Sequence, residues 1–247
     1  AAFALAMKAA ARLGRRRLLR MQAKPDICVL SDVAFTDAEM QDVAAVVGKD
    51  LFTDELRETL GQFEQAKNFG SLIVPKLRDA AETLRMVAAR DFGGDLLLKE
   101  VQERVVAVLR MAEALSPKYH VVVANPPYKK KADLNDELQA FLEANFKDGK
   151  YDLYQAFILR NLDLTRQFGL VGMITMQGWM FAPRYEAIRS ALLSRATIRG
   201  MAQLGERAFD SIRGEVVTTT SFVVASSSDP DFKGDFIRLT GGQDESE

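Results

Sequence analysis

Residues 119–128 read Tyr-His-Val-Val-Val-Ala-Asn-Pro-Pro-Tyr, and the fold prediction starts from this stretch. The valines at 121–123 are β-branched and apolar, which is typical of a strand buried in a parallel sheet. The strand must end at Pro126 and Pro127, because proline has no N–H to donate to a ladder and restricts the preceding residue to extended backbone. The sequence therefore predicts a parallel strand that stops at a rigid corner.

Asn125 and Tyr128 are the first and last residues of this corner, which is defined as Asn125–Tyr128. The corner lies at the carboxyl end of the predicted strand, where open α/β sheets bind ligands. The Asn125 amide oxygen and the Pro126 carbonyl can accept the two hydrogens of an exocyclic amino group, while the Tyr128 ring stacks on a flat base. The alternative is a strand-terminating turn with a capping Asn. The four residues alone leave both interpretations open.

Further segments extend the pattern beyond the corner: Asn68–Ile73, Asp152–Tyr154, Gly172–Thr175 with Trp179 and Met180, and Gly214–Val217. The corner itself resembles the catalytic motif of amino-methyltransferases that use S-adenosylmethionine. With these segments, nearly all of the 247 residues resemble one branch of them, the adenine-specific DNA methyltransferases of bacteriophage-exclusion (BREX) defence systems.

This resemblance implies an α/β fold, namely a partial class I S-adenosylmethionine-dependent methyltransferase sheet, which is Rossmann-like, with a helical insertion. It implies site-specific DNA adenine-N6 methylation in a bacterial phage-defence or restriction-modification system, with S-adenosylmethionine as the methyl donor. The expected partners are double-stranded DNA, with its target adenine flipped out of the stack, and other proteins of the defence system.

The resemblance also assigns residue roles. It gives catalytic roles to the four corner residues Asn125, Pro126, Pro127 and Tyr128. It places Asp32 where a carboxylate contacts the adenine amine of the cofactor, and Phe209 where a second aromatic ring meets the flipped base. An Asp after a strand is also a common turn residue, so both interpretations of Asp32 stay open.

The periodicity of the chain predicts four regions. An Ala-rich helix is predicted at Ala1–Arg20 and a short strand at Ile27–Leu30, followed by helices that start near Thr36 and Thr53. The predicted regions are the remainder of a cofactor-binding half at 1–35, a helical insertion at 36–118, a catalytic half at 119–228, and a linker or the start of a next region at 229–247.

The catalytic half alternates helices and strands. Helices are predicted at Leu134–Phe146, Leu153–Thr165 and Pro183–Ser194, and strands at Gly169–Thr175, Ile198–Gln203 and Val216–Ala225. This order matches the second half of the seven-stranded methyltransferase sheet, whose last strands pair antiparallel. In the family, a Gly-rich loop and an acidic residue that bind the cofactor come earlier. No such loop precedes Ala1–Arg20, so we expect this chain to be a fragment of a larger protein.

Composition restricts the class of protein only loosely. The formal net charge is −1, which gives no global sign of nucleic-acid binding, although local basic runs occur at 15–17 and 129–131. The single cysteine, Cys28, excludes an internal disulfide and suits a reducing cytoplasm. No apolar run approaches the ~20 residues that span a membrane, so we expect no membrane partner.

Several residues near the corner have structural interpretations. The lone histidine, His120, is expected to be structural, Asp152 is explained as a helix cap beside Tyr154, and Trp179 as core.

Two other functions stay open: the same chemistry on protein glutamine or RNA, or a truncated, non-catalytic fragment that binds DNA or a partner. The helical insertion argues against the compact protein-glutamine enzymes.

Overall fold

A computed structural model describes residues 26–116, 119–205 and 218–240. Of these, 26–67 and 75–114 form one compact unit, and 68–74 with the residues from 115 onward form a second. The predicted helix at Ala1–Arg20 and the predicted site residue Phe209 lie outside the described residues.

The first unit is helical, as the sequence predicts for the insertion. Its helices are α1 (Glu39–Val47), α2 (Asp54–Gln62), α4 (Ala80–Ala88) and α5 (Leu96–Ala114), with the short α3 (Ala66–Phe69) at its boundary. Helix α5 buries one apolar stripe at helical spacing, made of Val101, Val105, Val108, Leu109 and Ala112. The predicted domain boundaries themselves stay a prediction.

The predicted helix starts are confirmed by their hydrogen bonds. The Thr36 N–H donates to Glu39 Oε2 over 2.8 Å, and the Glu39 N–H donates to Thr36 Oγ1 over 3.3 Å, which is a reciprocal capping box. The Thr53 hydroxyl accepts from the Leu56 N–H over 3.2 Å at the start of α2.

The strand predicted at Ile27–Leu30 does not form. Residues 26–36 adopt neither strand nor helix, and the side chains of Ile27 and Val29 are 40% and 74% exposed. Beyond them, the Ser31 N–H donates to the sulfur of Met111 over 3.3 Å. An apolar run becomes a strand only with a ladder partner, and none of the described strands pairs with these residues.

The second unit is built on a mixed five-stranded sheet in the order β1-β2-β4-β3-β5. The strands are β1 (Tyr119–Ala124), β2 (Thr165–Met176), β3 (Thr197–Gly205), β4 (Thr219–Ala225) and β5 (Asp235–Arg238). Strands β1 and β2 are parallel, β4 lies antiparallel between β2 and β3, and β5 is parallel to β3. This confirms the α/β fold and the antiparallel pairing of the last strands.

Two details of the sheet differ from the sequence pattern. No strand is predicted within 229–247, the region expected to be a linker or the start of a next region, but β5 forms there. Strand β1 pairs on one side only among the described strands, and Val121 and Val123 are 57% and 78% exposed, so the expectation of a buried strand is wrong for these two side chains. The alternate residue, Val122, packs on the core.

Helices complete this unit: α6 (Asp136–Asn145), α7 (Leu153–Leu164), α8 (Gly178–Phe181) and α9 (Glu186–Arg195). Short 3₁₀ turns occur at Gly70–Leu72, Lys131–Asp133, Lys147–Gly149 and Pro183–Tyr185. Trp179 is buried and donates its indole N–H to Thr175 Oγ1 over 3.1 Å, which confirms that it belongs to the core.

A buried arginine ties residues 68–74 into this unit. Arg160, on α7, is fully buried and donates to the carbonyls of Ser71, Ile73 and Leu115 over 2.9, 2.6 and 2.6 Å. Burial lowers the pKa of its guanidinium to about 10. The short segment also stacks Phe69 on Phe141 of α6, with ring centroids 4.3 Å apart.

Candidate active site

The corner lies directly after β1, at its carboxyl end. Asn125 and Pro127 are exposed, Pro126 is buried and Tyr128 is half-buried. The Tyr128 hydroxyl donates to Asn125 Oδ1 over 3.1 Å, so the first and last residues of the corner are joined by their side chains. Tyrosine is protonated at neutral pH with its ordinary pKa, and burial raises the pKa of Tyr128 further, so this hydroxyl is available as a donor.

The ring of Tyr128 rests on a second tyrosine. The ring centroids of Tyr128 and Tyr154 are 6.5 Å apart and the ring planes are 84° apart, which is an edge-to-face contact. Tyr154 belongs to the first turn of α7 and is buried. The orientation of the Tyr128 ring therefore depends on where α7 begins.

Backbone hydrogen bonds fix the start of α7 beside the corner. The Lys131 N–H donates to the Tyr151 carbonyl over 3.0 Å, and the Leu153 N–H donates to the Lys129 carbonyl over 2.8 Å. Lys130 and Asp152 face each other in this short antiparallel bridge. The segments after the corner and before α7 thus form one ladder.

Asp152 does not act as the predicted helix cap. It occupies the N-cap position of α7, but its side chain makes no capping hydrogen bond. Instead, the buried carboxylate accepts a hydrogen bond from the Tyr185 hydroxyl, which in turn accepts one from Arg184. Desolvation raises the pKa of Asp152, and desolvation together with the Asp152 hydrogen bond raises the pKa of Tyr185 to about 12.

The cofactor residue expected from the sequence, Asp32, belongs to the first unit, whereas the corner belongs to the second. Asp32 Oδ1 accepts from the Lys67 N–H over 2.8 Å, and its Oδ2 lies 3.9 Å from Lys67 Nζ. Its side chain is 44% exposed. A carboxylate can accept a hydrogen bond from a purine amine, and the role of Asp32 at the cofactor stays a prediction.

Charged groups around the corner divide into paired and solvent-facing ones. Lys131 forms an ion pair with Glu143 and lowers the pKa of that carboxyl, while Lys129 and Lys130 are exposed. His120 lies on β1 with its Nε2 2.7 Å from Arg166 Nη1. Across the described ranges, no group of three His, Cys, Asp or Glu side chains could hold a metal ion.

The chain has an α/β fold with a ligand-binding type of corner after a parallel strand, and comparison with known sequences shows which protein family it belongs to. Residues 34–209 match the family of the Eco57I restriction-modification methylase. The chain belongs to this family.

More particular relatives are adenine-specific methyltransferases. The chain is 38% identical over 196 residues to the adenine-specific methyltransferase BrxX of Escherichia coli O9:H4 (strain HS), which is 77% of this chain and 16% of that protein. It is 33% identical over 246 residues to the adenine-specific methyltransferase PglX of Lacticaseibacillus casei (strain Zhang), or 96% of this chain and 20% of that protein. These matches confirm the predicted resemblance, and the chain spans a fifth or less of the length of these relatives.

Solved structures with a similar arrangement are more distant. A putative class I S-adenosylmethionine-dependent methyltransferase from Listeria monocytogenes aligns with a TM-score of 0.40 at 16% identity, over 86% of this chain and 76% of that one. The restriction-modification enzyme LlaBIII bound to DNA aligns with a TM-score of 0.41 at 16% identity, over 68% of this chain and 12% of that one.

No helix in the described part of the chain is long and apolar enough to span a bilayer.

Proposed function

We propose that this chain carries the base-binding half of an S-adenosylmethionine-dependent DNA adenine-N6 methyltransferase from a bacterial phage-defence system. The observation that carries the proposal is the corner itself. In a member of a methylase family, Asn125-Pro126-Pro127-Tyr128 follows a parallel strand, with the Asn125 side chain exposed and already oriented by Tyr128. That is the place where an α/β sheet offers polar groups to a ligand.

Asn125 and Pro126 would activate the amino group of adenine. The nitrogen lone pair is normally drawn into the purine ring, and two acceptors that hold both N–H hydrogens shift the nitrogen toward pyramidal geometry. The Asn125 carbonyl oxygen has two lone pairs, so it can accept from adenine while it still accepts from the Tyr128 hydroxyl. This is catalysis by positioning and preorganised hydrogen bonds, without a strong general base.

The remaining parts of the proposal concern the bound molecules. S-adenosylmethionine, when bound, supplies the methyl group, and Asp32 is the residue of this chain that would accept from its adenine amine. Tyr128 would stack on a flipped adenine, since base–aromatic stacking contributes about 1–3 kcal/mol. Exposed Lys129 and Lys130 beside the corner would meet the phosphates of double-stranded DNA. Other phage-defence proteins are the expected protein partners.

Transfer of label from tritiated S-adenosylmethionine tests the acceptor. The protein at its natural length is incubated with genomic DNA, total RNA and protein extract from a host that lacks adenine methylation. We expect label in DNA only, with N6-methyladenine as the product in nuclease digests. Label in RNA or on glutamine side chains would overturn the choice of acceptor, and absence of label from all three would overturn the proposed activity.

A further inference from the structure

Three elements meet behind the corner, and none of the expected catalytic residues belongs to them. The segment Lys129–Lys131 forms its ladder with residues 151–153, and the buried carboxylate of Asp152 lies in the middle of that ladder. Tyr185, which donates to this carboxylate, comes from the 3₁₀ turn at Pro183–Tyr185. The hydrogen bond therefore joins segments that follow β1 and β2 in the chain.

A buried carboxylate needs such a partner. Asp152 has only 4% of its surface exposed, and an unpaired carboxylate in that position would carry an uncompensated desolvation cost. The Tyr185 hydroxyl, itself buried, supplies a donor, and the exposed Arg184 donates to the same hydroxyl from outside. Tyr185 also contacts Tyr151 ring to ring, at 6.3 Å between centroids. The arrangement holds Asp152, and with it the ladder, in one place.

The ladder transmits this position to the proposed base-binding ring. Tyr154 lies two residues after Asp152 and packs its ring against Tyr128 edge to face. On the other strand of the ladder, Lys129 follows Tyr128 directly in the chain. The ladder around Asp152 therefore holds Tyr128 in two ways. It holds the backbone that follows Tyr128, and it holds the start of α7, which carries the Tyr154 ring in contact with Tyr128.

We propose that Asp152 and Tyr185 are positioning residues for Tyr128: their hydrogen bond fixes the ladder between 129–131 and 151–153 and so the angle at which Tyr128 meets the target base. This inference rests on the proposed function for its catalytic consequence. Its structural part, the dependence of the ladder on the Asp152–Tyr185 bond, stands independently of the reaction. Neither residue touches the substrate in this account.

Substitutions at the two positions separate the hydrogen bond from packing. Tyr185→Phe keeps the ring and removes the donor. Asp152→Ala removes the acceptor, while Asp152→Asn keeps an acceptor oxygen in the same shape. We expect Asp152→Ala to be the most severe, Tyr185→Phe intermediate and Asp152→Asn the mildest. Asp148→Asn, four residues earlier and exposed, is the matched control and should behave as wild type.

Hydrogen exchange measured on the natural-length protein reads the ladder directly. In Tyr185→Phe, the amides of Lys131 and Leu153 should exchange on the order of tenfold faster, as expected for loss of one hydrogen bond to a charged group, while the core strands keep their protection. Unchanged exchange at these amides, or a uniform increase through the whole sheet, would overturn the inference.

Steady-state kinetics with DNA reads the consequence. The kcat for adenine methylation should fall about tenfold in Tyr185→Phe and recover most of the way in Asp152→Asn relative to Asp152→Ala, while the dissociation constant for S-adenosylmethionine stays unchanged. Equal loss in all three variants, or a loss explained by weaker cofactor binding, would contradict a positioning role. If the wild type methylates no DNA, the proposed function fails, and the exchange experiment still decides whether the ladder depends on this bond.

Discussion

Asn125 and Tyr128 form one functional pair in the structure. The sequence identifies both residues but assigns Tyr128 only a stacking ring, whereas the structure adds a hydroxyl that donates to Asn125 Oδ1. This bond fixes which way the amide oxygen points, which matters because the oxygen, and not the NH₂ group, must face the adenine amine. Tyr128 therefore has two separable contributions, its ring and its hydroxyl.

Substitution of Tyr128 separates these contributions. Tyr128→Phe keeps the ring and its contact with Tyr154 and loses one neutral hydrogen bond, so we expect a loss of up to about tenfold in kcat. Tyr128→Ala also loses stacking, which is worth about 1–3 kcal/mol, and should be one to two orders of magnitude worse than the Phe variant. Initial methylation rates on genomic DNA measure both. Equal inactivity of the two variants would show that the hydroxyl carries the function and the ring does not.

At the scale of elements, the site depends on how closely the start of α7 approaches its neighbours. Gly149, in the 3₁₀ turn before α7, is buried, and a Cβ there would lie 2.9 Å from the Gln155 carbonyl carbon and 3.0 Å from the Ala156 nitrogen. Backbone atoms cannot move aside as a flexible side chain can. A glycine is therefore required here by close packing, which the sequence pattern does not reveal.

We expect Gly149→Ala to destabilise the protein by about 1–3 kcal/mol through overpacking. Gly61, within α2, is the matched control, because no atom lies within 4 Å of its added Cβ. Gly61→Ala should raise stability by up to about 1 kcal/mol, since alanine favours a helix more than glycine does. Thermal unfolding of the two variants measures the difference. A stable Gly149→Ala variant would show that α7 has room to shift.

At the scale of the whole molecule, features set by residues close together in the chain can be predicted from the sequence more readily than pairings between distant residues. Residue types close together in the chain predict the corner, the helix starts at Thr36 and Thr53, and the succession of β1 to β4 along the chain. The partners Asp152 and Tyr185 are 33 residues apart, and no local pattern links them. Ile27–Leu30 has the composition of a strand but lacks a described ladder partner, whereas the short β5 has only two apolar residues and forms where it pairs with β3.

The exposed face of β1 should govern self-association of this chain. Val121 and Val123 leave apolar side chains on a strand with one unpaired edge among the described residues, an arrangement that promotes aggregation. We expect Val123→Lys to reduce self-association of the 247-residue chain, measured by light scattering, without lowering its melting temperature. Val122→Lys, which places a charge at a half-buried position packed against the core, should lower that temperature. Unchanged association in Val123→Lys would show that another surface drives it.

The most direct test of the account is the quantity of N6-methyladenine made by the Asn125→Ala variant of the natural-length protein. Mass spectrometry of digested genomic DNA measures the product, and Asn145→Ala, an exposed asparagine at the end of α6, serves as the matched control. We predict that Asn125→Ala lowers the methylation rate by about 10²–10³-fold or more, with folding and cofactor binding retained, because a preorganised hydrogen-bond acceptor is lost at the reacting amine. Asn145→Ala should match the wild type. Methylation at the wild-type rate in Asn125→Ala would contradict the assignment of the active site to this corner.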